Sequence, residues 1–349
     1  MCKNTKLLML FLVSLLLAAP AAAALKKKDK LANGKGEITG NEHSVLWRRP
    51  TDIGTRNLFY GPGGKAHQPH GPFTFEKEDL DGSNPKFVVH DQDGVKWKVK
   101  LGVEAKPETV ASRLVWSAGY FTNEDYFLGD LHVKNMPAHL QRRSAGKFIQ
   151  PGGSMRDVRL KRYLKGEKKI GNWEWRNDPF RDTREYNGLR VMMALINNWD
   201  LKDENNAIYE DKRTDGREGH ERIYMVSDLG ASFGTWGFVP SHEQAKGNLE
   251  SYLHSKFIKR IGPGYVDFET PHRPAFIVLV NPHEYCSRVD PEWIGKHIPR
   301  EDAKWIGRML AQLSAKQISD SFRAAGYTPQ QVKGFSGEVK SRIAQLASL

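Results

Sequence analysis

Val95, Trp97, Val99 and Leu101 alternate with Lys96, Lys98 and Lys100. A period of two predicts a strand with one apolar face and one face made of lysine. Phe73–Glu78 alternates in the same way and ends at Asp79-Leu80-Asp81-Gly82, and Lys86–His90 reads as a second strand. Asp91-Gln92-Asp93-Gly94 supplies the turn chemistry of a hairpin between that strand and the lysine strand. Pro107 then opens a helix with Glu108 in its first turn. Val110, Leu114, Val115 and Ala118 form its apolar stripe, and Gly119 ends it. Two further strands are predicted around Tyr126–Val133 and Met155–Tyr163.

The period changes after Asp182. Asp182 and Glu185 have the spacing of a capping box, and Leu189, Met192, Met193 and Ile196 follow at helical intervals. A polar segment, Trp199–Asn206, interrupts this pattern. Ile208–Tyr209 and Ile223–Val226 predict a short hairpin around the charged tip Glu210–Arg222. Pro299 precedes a helix carrying Trp305, Ile306, Met309, Leu310 and Leu313, and Ile318, Phe322 and Ala325 continue the stripe to Gly326. Thr328-Pro329-Gln330-Gln331 caps a last helix. The expected class is α+β, with a β-rich part first and an α-rich part second.

The N-terminus follows neither pattern. Lys3 and Lys6 precede the apolar run Leu7–Ala19, which is too short for an ordinary membrane span, and Pro20 with Ala21–Ala24 follows. This is the layout of a secretory signal peptide over residues 1–24. It carries two lysines and no acid, so removing it takes the formal charge of the 349-residue chain from +12 to +10. A periplasmic or secreted bacterial protein is expected. Residues 25–55 are read as a basic flexible arm, Lys- and Gly-rich at its start. A solvated leader is the favoured reading of it, ahead of weak contact with the anionic envelope. Residues 56–170 are expected to form the β-rich lobe and 171–349 the α-rich lobe.

Composition narrows the classes. Apolar residues make up 39% and charged residues 27%, which excludes a multi-span membrane protein. Nine Trp, 16 Phe and 11 Tyr argue for a packed core. Two Cys exclude a disulfide scaffold, and once the leader is removed Cys286 stands alone and is read as buried and inert. The basic charge is scattered without a nucleic-acid-binding module, so no nucleic-acid partner is expected. His67 and His70 have ligand-like spacing but no acid or Cys completes a metal set nearby. Tyr60-Gly61-Pro62-Gly63-Gly64-Lys65 is read as a turn rather than a phosphate nest. Asp79–Gly82 and Asp91–Gly94 open like calcium loops. Their twelfth positions hold His90 and Gly102 instead of Glu, so both are turns.

Three separated pieces carry chemistry. Asp200-Leu201-Lys202-Asp203-Glu204-Asn205-Asn206 follows an amphipathic helix, Asp228-Leu229-Gly230 follows an apolar strand, and Lys100 ends the lysine strand with Glu108 eight residues on. Acids and an amide on short loops suit a hard cation, which takes oxygen ligands. A lysine with an acidic partner holds a phosphate in place, and a nearby carboxylate can orient a hydroxyl and take its proton.

Asp200–Asn205 resembles the D-L-K-x-x-N catalytic loop of protein kinases, and Asp228-Leu229-Gly230 resembles their D-F-G element with Leu for Phe. Lys100 and Glu108 stand where that family has its strand lysine and helix glutamate, and the order along the chain agrees over roughly Phe73 to Gly234. The resemblance implies a two-lobed fold and phosphoryl transfer to an unknown protein, glycan or lipid acceptor. It assigns Asp200 to the acceptor hydroxyl and Lys202 to the moving phosphoryl group. Asn205 and Asp228 would hold Mg²⁺ or Mn²⁺. Lys100, supported by Glu108, would hold the phosphates of ATP or another nucleotide, with Gly82, Ser83 and Lys86 covering them. Asn206 competes with Asn205, and Lys98 with Lys100, as spacing alone does not choose.

The departures point to atypical members. No G-x-G-x-x-G precedes Lys100, and the loop Gly82–Phe87 is similar to the short glycine loop of HipA-type kinases. Asn198-Trp199 replaces His-Arg, no A-P-E follows Asp228, and 23 positions separate Asn205 from Asp228. The pattern is similar to the HipA-type, spore-coat, secretory-pathway and phosphoinositide kinase groups. Because ATP is expected to be scarce outside the cytoplasm, an inactive kinase-like binding module or structural envelope protein is the alternative. Oligomeric state is not legible.

Overall fold

The computed structural model describes residues 43–82, 84–211, 221–235, 245–270 and 290–349. The chain forms β1 (His43–Val45), β2 (Phe73–Asp79), β3 (Lys86–His90), β4 (Lys96–Lys100), α1 (Ala105–Ser117), β5 (Asp125–Lys134), β6 (Ile149–Gln150), β7 (Ser154–Arg162) and β8 (Glu167–Gly171). There follow α2 (Arg184–Leu195), β9 (Asn206–Asp211), β10 (Glu221–Val226), α3 (Leu249–His254), β11 (Ile258–Gly262), β12 (Tyr265–Phe268), β13 (Ile298–Pro299), α4 (Arg300–Leu310), α5 (Ala315–Arg323) and α6 (Pro329–Ala347).

The first sheet closes on itself. β3 pairs with β2 and β4, β4 pairs also with β7, β7 with β5, and β5 returns to β2 in parallel. The alternation read from β4 explains this closure. Trp97 and Val99 point inward with Phe87, Val89, Val158 and Leu160, all at most 1% exposed, and leave the lysines outside. Each such side chain contributes roughly 1.5–3 kcal/mol of burial. α1 packs across the outer face of β5 and β7. Gly119 ends α1 at φ +96°, where a Cβ would stand 2.4 Å from the Arg48 carbonyl oxygen. Only glycine fits that exit.

A second core gathers α1, α2, α4, α5 and α6. Phe322 stacks on Phe335 with centroids 5.1 Å apart, and Phe233 meets both edge-on. Arg342 of α6 is fully buried and donates to the carbonyls of Leu195, Tyr252 and Ser255, which locks α6 onto the end of α2. A charge this deep is tolerated because its donors find acceptors. Beside this core lie a four-stranded sheet, β1-β10-β9-β8, and a three-stranded one, β11-β12-β13.

Several local expectations shift. The N-cap of α2 is Thr183, whose hydroxyl accepts from the Tyr186 amide, while Asp182 takes φ +68°. Asp182 therefore ends the incoming loop instead of capping. The stripe to Gly326 is broken by a separate capping box, Ser314 with Gln317, which starts α5. Thr328 and Gln331 do cap α6. β8 and the three-stranded sheet carried no alternation strong enough to predict them. Residues 43–55 join the body: β1 pairs with β10, and Leu46 and Ile53 are buried. The leader 1–24, the arm up to residue 42, the hairpin tip 212–220 and Cys286 lie outside the described residues. Among those described, no helix is long and apolar enough to cross a membrane.

Candidate functional site

Four chain segments meet at one cleft of about 640 Å³. The β2–β3 turn brings Gly82, Asn84 and Lys86, and the end of β4 brings Lys100. The segment after α2 brings Asp200, Lys202 and Asn205, and the segment after β10 brings Asp228. Every sequence-predicted site residue that is described lines this cleft except Glu108, which stands directly behind Lys100. Ser83 lies outside the described residues.

Lys100 is the centre of the arrangement. It is 4% exposed, and its Nζ stands 2.9 Å from Glu108 Oε2, 2.5 Å from Glu104 Oε2 and 3.2 Å from Asp228 Oδ1. Burial alone would push the ammonium pKa down, but Asp228, Glu104 and Glu108 together raise it well above its ordinary value. Glu108 is held from its other side by Arg159, at 2.9 Å, and Arg159 is tied to Asp125 at 3.1 Å. Glu104 also receives Lys246 and, at 2.6 Å, the Asn84 amide. Burial works against the Glu104 carboxylate, but Lys100 and Lys246 outweigh it and hold its pKa far below the usual carboxylate range. The site is thus a buried lattice of alternating charge in which no single group can be removed without leaving another uncompensated.

Lys98 does not share this environment. Its Nζ is 2.6 Å from Asp79 Oδ2, and it does not line the cleft. Register accounts for this, since Lys98 lies two residues back along β4, roughly 7 Å from Lys100. The structure likewise separates the two asparagines. Asn206 is fully buried and donates to the Trp173 carbonyl, while Asn205 lines the cleft. Asn205 Nδ2 donates to the Asp200 carbonyl at 2.7 Å, which leaves Oδ1 as its ligand-capable atom.

Main-chain hydrogen bonds fix the two loops against each other. The amides of Ser227 and Asp228 both donate to the Asn205 carbonyl, at 2.9 and 3.2 Å. The Trp199 amide donates to the Ala231 carbonyl, and the Phe233 amide to that of Ile196. The β9–β10 hairpin, paired from Asn206–Val226 to Asp211–Glu221, makes this possible by returning the chain to its starting point. The Gly230 amide donates to Asp228 Oδ1 at 3.1 Å, and Gly230 lies so close to Glu104 that a Cβ there would be 2.6 Å from Oε2. Asp228 keeps 42% of its side chain exposed to the cleft. The acid oxygens of Glu104, Glu108 and Asp228 lie within 4.8 Å of one another, close enough to share a cation.

Sequence reasoning missed Glu104, Lys246, Arg159, Asp125 and Asn84. Glu104 carries a faint signal, four residues after Lys100 at the start of a helix. The others become visible only when the β2–β3 turn, β5, β7 and the segment after Asp228 are placed against α1. Aromatic side chains complete the cleft, with Trp293 under Arg176 at 4.6 Å and with Trp175 and Trp199 along the wall.

No protein-family model matches the chain, and no curated protein matches it. Among solved structures it is similar to the Helicobacter pylori proinflammatory kinase CtkA, at 12% identity and a TM-score of 0.42, over 79% of this chain and 96% of that one. It is also similar to the Golgi casein kinase, at 11% identity and a TM-score of 0.29, over 78% of this chain and 75% of that one. Likeness of this degree leaves the function to rest on the chain's own geometry.

Proposed function

We propose that this chain is a metal-dependent phosphotransferase of the atypical kinase-like kind, two-lobed and exported, with its donor bound in the cleft between the closed sheet and the helical part. The observation that carries the reading is the convergence of Lys100, Asp200, Asn205 and Asp228, spread over 128 residues, at one cleft. An ordinary ion-pair network would account for Lys100 and Glu108. It would not bring an exposed carboxylate, an amide oxygen and a second acid to the same opening.

The residues fit a divalent cation: Asp228 offers a partly exposed carboxylate and Asn205 its Oδ1, both hard oxygen ligands. Mg²⁺ or Mn²⁺ there would neutralise the phosphates of a nucleotide. Lys100 supplies a fixed positive charge for those phosphates, and Glu108, braced by Arg159, keeps its amine from retracting. Lys86, from the β2–β3 turn, brings a second amine. Asp200 would orient the acceptor hydroxyl and accept its proton, with Lys202 beside it. The acceptor is a protein, glycan or lipid hydroxyl.

The test is a thermal-shift titration of the protein without its leader, using ATP with Mg²⁺ or Mn²⁺, alongside Asp228→Asn. A ligand at about a hundred times its dissociation constant adds roughly 2.7 kcal/mol to the native state. A metal-dependent shift that vanishes in the variant is the expected result. A folded protein that shifts with no nucleotide would instead favour an inactive kinase-like module of the envelope.

A further inference from the structure

Lys100 has no N–H left to give. Its ammonium carries three donors, and three carboxylates take them. Glu108, Glu104 and Asp228 stand 2.9, 2.5 and 3.2 Å from its Nζ. A phosphate can reach this buried amine only if one of the three leaves. Glu108 is not the one. It lies behind Lys100, outside the cleft, and Arg159 grips it from the other side. Asp228 is not the one either. The Gly230 amide orients its carboxylate, and its exposed part is what the proposed cation would take.

Glu104 differs from both. It lines the cleft, and its donors come from three of the segments that build the cleft. They are Asn84 of the β2–β3 turn at 2.6 Å, Lys100 of β4, and Lys246 of the segment after Asp228 at 2.5 Å. Two ammonium groups and an amide around one pair of oxygens form the donor set of a phosphate seat, filled here by the chain's own carboxylate. Gly230 leaves the room for it, since a Cβ there would press on Oε2. The carboxylate does nothing for its own helix. It makes no capping bond to α1, which begins one residue later. Gly102, two residues before it, takes φ +93°, and Val103 between them is exposed. Glu104 therefore sits on a short link between β4 and α1, and its side chain can leave the seat without unwinding either element.

We propose that Glu104 occupies the seat of a donor phosphate and is displaced when that phosphate binds, so that Lys100, Lys246 and Asn84 pass from the carboxylate to the ligand. The inference rests on the phosphotransferase reading and deepens it, because it makes Glu104 a specificity-determining residue of the donor site. The class of ligand follows from the exchange. A singly charged anion replaces the carboxylate one for one and gains little. A pyrophosphate group brings more charge to the same two ammonium groups and also reaches the cation at Asp228, so it outcompetes Glu104. In the absence of such a ligand, the carboxylate keeps both buried amines compensated.

The test is a calorimetric titration of the protein without its leader, using pyrophosphate and ATP, each with Mg²⁺, at fixed ionic strength. Glu104→Gln keeps the size of the side chain and removes its charge. It should bind both ligands tighter than the native protein by at least about tenfold. Glu104→Asp keeps the charge and shortens its reach, and should show a smaller gain in the same direction. Urea midpoints without ligand establish which variants are folded, and either folded variant decides the sign. A residue that merely positions Lys100 would move the affinity the other way. Weaker or unchanged binding by the folded variants therefore overturns the displacement and leaves the phosphotransferase reading standing. A gain confined to ATP places the effect on the nucleoside and overturns it as well. No binding by the native protein or by either variant sinks the phosphotransferase reading, and the displacement with it.

Discussion

Lys100 Nζ and Asp228 Oδ1 stand 3.2 Å apart although 128 residues separate them in the chain. The contact ties the closed sheet to the loop after β10, and it is held in place from behind by Glu108 and from the side by Glu104. Removing the amine leaves two buried carboxylates facing each other. Lys100→Met should therefore cost about 3–5 kcal/mol, the range for breaking a buried ion pair from one side. Adding Glu104→Gln should recover part of that loss. Chemical denaturation of the two single variants and the double variant measures the coupling, and strict additivity would show that the lattice is not cooperative.

Glu104 also sets the acid limit of the fold. Its folded pKa lies below the ordinary 4.5, so its ion pairs contribute stability that is complete above 4.5 and is lost as pH falls through the folded value. Lys100 acts at the other end. Its folded pKa lies above 10.5, so its contribution is complete below 10.5 and is lost as pH rises through the folded value. Urea midpoints against pH should fall on both limbs. Glu104→Gln should flatten the acid limb, and an unchanged acid slope would show that Glu104 is not held by Lys100 and Lys246.

The two lysines of β4 separate binding from packing. Lys98→Met breaks a partly buried pair with Asp79, which should cost less than the roughly 3–5 kcal/mol of a fully buried pair and leave the ATP-dependent thermal shift in place. Lys100→Met should remove that shift at any nucleotide concentration reached. If Lys98→Met removes it and Lys100→Met does not, the phosphate end of the cleft has been placed on the wrong lysine.

Much of this was legible in sequence because the informative residues sit at ends of strongly periodic elements. The alternation of β4 fixes which lysines face outward, and the apolar strand β10 aims Asp228 at the cleft. What could not be read is what faces these residues. Arg159 lies in a strand with no distinguishing pattern, and Lys246 reaches Glu104 only through a segment with no periodicity. The choice of Asn205 over Asn206 depends on which of two neighbours turns inward, a one-residue matter that β pairing decides. The N-cap of α2 was misplaced by one residue for a related reason: Asp182 and Thr183 both cap well, and only the left-handed backbone at Asp182 disqualifies it.

That last distinction can be measured. Thr183→Ala removes the hydroxyl that accepts from the Tyr186 amide and should cost about 1 kcal/mol. Asp182→Gly should be close to neutral, because glycine adopts φ +68° without strain and this relief offsets its greater freedom in the unfolded chain. Thermal denaturation of both variants at neutral pH separates them. α2 carries the loop with Asp200 from its C-terminal end, so a frayed N-terminus should lower stability while leaving the cleft intact. Equal losses in the two variants would return the cap to Asp182. A loss confined to Thr183→Ala, with ATP binding unchanged, would place the effect at the start of α2 and away from the site.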